Sequence, residues 1–339
     1  MCNKISLFIF LTFSLCQLGM AQESHILIDR WNEYTKTKTA NEAKAFIEPA
    51  DFGSIYGFVQ PGSDLVNNMK PLSEEIYGQS GRVFFKIYEF KIWIAFKKHN
   101  ENWMMTMDEN ELLEHLTANW VKTQVGSLTY VSSSPLSAET LKETKLFTLE
   151  NDRLSKEFGI KLNDFKYYYA KLGEEAENIV GETDKGAGKA RFRAIKAVET
   201  VSHVHELAHI YAFEFGSGNT FIDEGVATCF GNKNMTKKAK QAQAVLSLIE
   251  DCGYEKYLDS PTFAEANMKR KKVYALAQLT LTHWKNKYGM AKIKSLLTAQ
   301  KDPDINILKY IEDHFEEKEV TNKALREILE NNIKEASAK

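Results

Sequence analysis

Residues 205–209 read His-Glu-Leu-Ala-His. On a helix, positions i and i+4 project from one face, so His205 and His209 can offer two imidazoles to one ion. Neutral imidazole binds Zn²⁺ at about 2.0–2.1 Å. Glu206, beside the first imidazole, can reach a water at such an ion without itself binding the metal. This arrangement points to metal-assisted hydrolysis. A catalytic zinc needs a third protein ligand and an open position. The extended pattern H-E-x-x-H-x-x-G-x-x-H is absent: Ala212 stands where its glycine would be and Phe215 where its third histidine would be. The better candidate is Glu224, with fourteen residues between it and His209.

These residues need elements to carry them. Ala197, Val201, Val204, Ala208, Tyr211 and Phe215 recur at helical spacing, so a helix from about 197 would bury that stripe and leave both histidines at its border. Gly216 and Gly218 end it. Thr220 can cap a second helix, with Asp223 three residues on as its capping-box partner. Phe221, Val226 and Phe230 are that helix's apolar positions. A tight antiparallel return would bring Glu224 over the His205/His209 face. Asp223 reads first as a cap and second as a group that orients a ligand. His203 would point away from the ligand face and reads as structural. Upstream, Lys189 to Ile195 alternates small or apolar with basic residues, the pattern of a half-buried edge strand.

His205-Glu206-x-x-His209 followed by Phe221-Ile222-Asp223-Glu224-Gly225-Val226-Ala227 resembles the gluzincin metallopeptidases, the peptidase MA-like superfamily that includes thermolysin and aminopeptidase-N-like enzymes. The resemblance implies one zinc per chain held by His205, His209 and Glu224, with Glu206 as general base toward a metal-activated water. It implies a peptide or protein substrate. It also implies an α+β fold: a small mixed sheet whose edge strand borders the cleft, the two motif helices, and a helical C-terminal part. The stretch from Tyr274 to Tyr288-Gly289 is similar to a helix of these proteins that ends in Tyr-Gly. Relatives of the aminopeptidase-N type use a tyrosine to stabilise the oxyanion. Tyr274 is the candidate here, with Tyr211 and His283 as rivals. Two departures stand out. The gap between His209 and Glu224 is shorter than in thermolysin or aminopeptidase N, and the G-x-M-E-N signature of the aminopeptidases is absent. Endopeptidase and exopeptidase action therefore both stay open.

The resemblance covers about 126–300. Residues 22–125 read as a separate α+β region of unknown role, with strands within Arg82–Phe96 and Trp103–Met107 and a helix over Glu109–Lys122. Between the regions' first strand, Leu128–Val131, and another at Phe165–Ala170, Ser137–Phe158 reads as a helix stopped by Gly159. Beyond 197 the chain reads as helices broken at Gly216–Gly218, Gly253, Pro261, Gly289 and Pro303.

Residues 1–21 read as a cleavable signal peptide: Lys4, an apolar run from Ile5 to Leu18, and Gly19-Met20-Ala21 before the cut. The expected location is periplasmic or secreted, with no membrane span after cleavage. Export leaves Cys229 and Cys252 as either a disulfide or two free thiols. The net charge of −2 argues against a nucleic-acid partner, and the basic clusters Lys237-Lys238 and Lys269–Lys272 read as solvated helix faces. Two other readings compete with the peptidase. One is a non-catalytic zinc- or substrate-binding protein that keeps the peptidase fold. The other is an adaptor centred on residues 25–125.

Overall fold

In the computed structural model, the structure describes residues 25–338 except 89, 163–164, 172–174, 177–178, 180–185, 190–191, 232–234, 269–271 and 303. The expected signal peptide lies outside the described residues. The fold class is α+β, in two compact units divided between His115 and Leu116. That boundary is earlier than the expected 125/126, because Val121–Val125 pairs into the sheet of the second unit.

In the first unit, helix α1 (Ile26–Tyr34) lies on a four-stranded antiparallel sheet of β1 (Lys70–Tyr77), β2 (Ser80–Ile87), β3 (Phe90–His99) and β4 (Asn102–Thr106). Leu27, Trp31 and Tyr34 recur at helical spacing on α1. Val83, Phe85 and Ile87 alternate on β2, and the two sets share one core. Arg82–Phe96 thus forms the β2–β3 hairpin. Helix α2 (Asn110–Leu116) ends short of the expected Lys122, since Val121 and Lys122 are taken into strand pairing with Ser132 and Val131.

The second unit is built on a five-stranded mixed sheet: β5 (Val121–Val125), β6 (Leu128–Ser132), β7 (Lys166–Ala170), β8 (Gly186–Lys189) and β9 (Ala194–Val198), in the order β5-β6-β7-β9-β8. Strands β6, β7 and β9 are parallel to one another, and the two outer strands run antiparallel to their neighbours. Helix α3 (Ala138–Phe158) connects β6 to β7. Ser137 Oγ accepts the Thr140 N–H at its start, and Gly159, at φ 64°, ends it in the left-handed region.

The edge strand is β8, not the expected Lys189–Ile195. Arg193 has φ 51° and interrupts that stretch, and the chain re-enters the sheet as β9 beside β7. All of β9 is buried, Lys196 included, so it carries no solvent-facing alternation to read. Gly186–Lys189 becomes the edge by pairing with it.

Helices follow: α4 (Val204–Phe213), α5 (Thr220–Gly231), α6 (Ala239–Cys252), α7 (Ser260–Met268), α8 (Val273–Ala299), α9 (Ile307–His314) and α10 (Lys318–Ser337). Gly253 ends α6, and Gly289, at φ 80°, interrupts α8. Pro261 sits in the first turn of α7 and starts a helix instead of breaking one. Pro303 lies outside the described residues. Among the described residues no helix is long and apolar enough to cross a membrane.

Candidate metal centre

Helix α4 begins at Val204, later than the stripe predicts. Ala197 belongs to β9 and Val201 to the turn that follows, yet both join the same core as Leu207, Ala208, Ile210 and Tyr211. His203 stands at the N-cap position of α4. The buried side of α4 is anchored by Tyr211, whose hydroxyl donates to Asn151 Oδ1 on α3 at 2.9 Å. His205, Glu206 and His209 are half-buried on the other side, and the edge strand β8 lies against this helix.

The turn after α4 closes against α8. A Cβ on Gly216 would collide with the Leu297 carbonyl. Asn219, not Thr220, caps α5: its Oδ1 accepts the Ile222 N–H at 3.3 Å. Asp223 reaches back, accepting from Ser217 Oγ at 2.6 Å and from the Gly218 N–H at 3.1 Å. The cap falls one residue earlier than expected because Asp223 serves the loop in front of the helix and leaves the first turn to Asn219. Helix α5 then returns antiparallel. A Cβ on Gly231 would strike the backbone of His205 and Val204. One on Gly225 would lie 2.7 Å from Leu281 Cδ2 and 2.9 Å from the Ala277 carbonyl on α8. Glycine at these positions lets α5 sit close to both neighbours.

That packing brings the three expected ligands together. His205 Nε2 lies 3.2 Å from His209 Nε2 and 3.2 Å from Glu224 Oε2, and His209 Nε2 lies 3.6 Å from Glu224 Oε2. Donors held tetrahedrally at zinc distances would be about 3.3–3.4 Å apart. Glu224 Oε2 is buried and makes no hydrogen bond of good geometry. An unsatisfied carboxylate oxygen in a low-dielectric site is costly unless something else occupies its lone pairs. The donor chemistry, two imidazoles and one carboxylate, is that of a catalytic zinc site, so the residues fit the ion. Among the described residues this is the one group of three or more such side chains close enough to hold a metal.

The electrostatics follow from the contact. Burial alone would push the Glu224 carboxyl up, but the His205 and His209 imidazoles outweigh it and hold the group at about 2. Burial alone would lower His209, and the Glu224 carboxylate reverses that and raises it. Burial raises Asp223, partly offset by its bonds from Ser217 and Gly218.

No protein-family model matches the chain, and no curated protein matches it.

The remaining expected residues divide. Tyr274, at the start of α8, is half-buried, with its ring 5.3 Å from that of Phe263. Its hydroxyl is pushed up to about 12 by burial first, then by the Glu224 carboxylate within hydrogen-bonding reach and by the charge of Glu206. Tyr274 and Glu206 therefore share the ligand neighbourhood. The two rivals do not: Tyr211 is committed to Asn151, and His283 Nε2 pairs with Glu316 Oε1 at 2.7 Å. Cys229 and Cys252 are both free thiols; Cys229 Sγ accepts from Thr282 and Cys252 Sγ lies 3.5 Å from the Tyr257 hydroxyl. Lys237 and Lys238 are exposed, and Lys269–Lys271 lie outside the described residues. Sequence reasoning missed Asn219 and Gly231. Asn219 stands one residue before the expected cap, Thr220, and Gly231 gave no sign of the backbone it would meet.

Proposed function

We propose that the chain is an exported zinc-dependent peptidase. The observation that carries the reading is the convergence of His205, His209 and Glu224, with the acid Glu206 next to the first of them in sequence. A zinc ion held by those three side chains would supply a Lewis acid for the scissile carbonyl and for water. The protein's own residues do the rest. Glu206 accepts a proton from the attacking water as its oxygen bonds to the carbonyl carbon. When the C–N bond breaks, Glu206 passes that proton to the leaving nitrogen. Tyr274 keeps its proton at neutral pH and is the hydroxyl donor for the oxygen that gains negative charge. Glu224 stays ionised, and so remains an acceptor throughout.

The test is zinc content with turnover. The purified protein should carry about one zinc per chain, as expected of a three-ligand site, and His209→Ala should carry little. Glu206→Gln should keep the zinc and lose roughly 10²–10⁴-fold in turnover of a peptide library. A parent chain that binds no zinc, even after incubation with the metal, would sink the reading. Zinc retained with no turnover in the parent would favour the non-catalytic binding protein.

A further inference from the structure

The helix that carries Glu224 is held at its start by a residue outside the motif. Gln300 follows the last turn of α8 and is 7% exposed. Its Oε1 accepts the Asn219 N–H at 2.6 Å, across 81 residues of sequence, and its Nε2 faces Asp223 Oδ1 at 3.4 Å. Asn219 is the cap of α5 and Asp223 the residue before Glu224. The carbonyls of Leu297 and Gln300 form the floor on which Gly216 and Gly218 turn. The carboxamide serves both partners, since it accepts from the backbone and donates to the carboxylate at once.

We infer that Gln300 is a positioning residue for Glu224, an inference that rests on the zinc reading above. Asp223 lies in the first turn of α5 and Glu224 follows it directly, so the cap and its partners set the backbone direction from which Glu224 projects. Its Oε2 sits within 3.2 Å and 3.6 Å of the two imidazole nitrogens, so a small rotation of that turn takes the carboxylate out of reach. Gln300 thereby acts on the third ligand through Asn219 and Asp223, without touching the ligand. Groups that orient metal ligands from behind are worth as much as 100-fold in affinity.

The experiment measures Zn²⁺ affinity of the full chain by competition with a chelator, and the visible absorption of the Co²⁺-loaded protein. It compares the parent with Gln300→Ala, Gln300→Met and Thr321→Ala. The Met variant fills the same volume without either polar atom, which protects the test against a packing defect. Thr321→Ala, on α10 and away from the proposed ligands, removes a buried hydrogen bond to Glu316 and reports the effect of lost stability alone. Both Gln300 variants should lose roughly 10–100-fold in Zn²⁺ affinity, with a weaker and shifted Co²⁺ spectrum, while Thr321→Ala stays near the parent in both. A Gln300→Met variant that binds zinc like the parent, or that loses no more than Thr321→Ala, overturns the inference alone. A parent that takes up neither Zn²⁺ nor Co²⁺ overturns the zinc reading and this inference with it.

Discussion

A tyrosine hydroxyl held at about 12 is a donor at any pH near neutral, and Tyr274 directs that donor at a cleft with two carboxylates. Glu224 is the nearer of these carboxylates in its effect on the hydroxyl. Two roles follow from one position, and a single substitution separates them. With Tyr274 as the oxyanion donor, Tyr274→Phe should lower kcat by about 10²-fold at unchanged zinc content. Loss of zinc instead would mean that the hydroxyl serves to hold the ligand. The three proposed ligands were legible as residue types at a spacing. The choice of Tyr274 over Tyr211 and His283 was not, because all three sit on amphipathic helices and only their partners, Glu224, Asn151 and Glu316, tell them apart.

At the scale of elements, the site depends on how closely α4, α5 and α8 approach. Gly231 is the closest point between α5 and the ligand-bearing backbone of His205. Gly231→Ala should cost about 1–3 kcal/mol, as over-packing does, and should also weaken zinc binding, since the atoms that must yield are those of His205 itself. Urea unfolding of the metal-free protein and a zinc titration read the two effects separately. A variant that matches the parent in both would contradict the packing described. Some elements could be read directly. Ser137 and Gly159 bracket α3 because capping is chemistry within a few residues. The start of α4 could not, since Ala197 and Val201 are as buried in strand and turn as they would be in a helix.

At the scale of the whole second unit, Glu316 joins the loop before α10 to the middle of α8. It is buried, accepts from His283 at 2.7 Å, from Thr321 at 2.9 Å and from Tyr288 at 3.0 Å, and pairs with Lys287. Burial alone would raise its pKa. The contacts from Lys287, His283, Thr321 and Tyr288 outweigh that and hold it at about 2. A carboxylate with a folded pKa below its unfolded value near 4.3 contributes stability that is present above that unfolded value. The contribution is lost as pH falls toward 2. The increment is about 3 kcal/mol at most, taking about 1.4 kcal/mol per pKa unit. Glu316→Gln should therefore be less stable than the parent at pH 7, and the difference should shrink between pH 5 and pH 2. Urea midpoints across that range check it; a difference that does not change with pH would refute the assignment.

The amino-acid sequence by itself determined the chemistry on offer: two histidines and an acid on one helical turn, a second acid after a glycine turn, and the breaks at Gly159, Gly253 and Gly289. Those signals act over a few residues, through periodicity, caps and backbone freedom. The tertiary structure decided what depends on pairing across long separations. It made β8 the sheet edge, buried β9 on both sides, and ended α2 at Leu116 so that β5 could pair with β6. It also set Gln300 and Gly231 against the ligand helices. A residue's non-local partner is selected by the packing of the whole unit, and no local pattern encodes it.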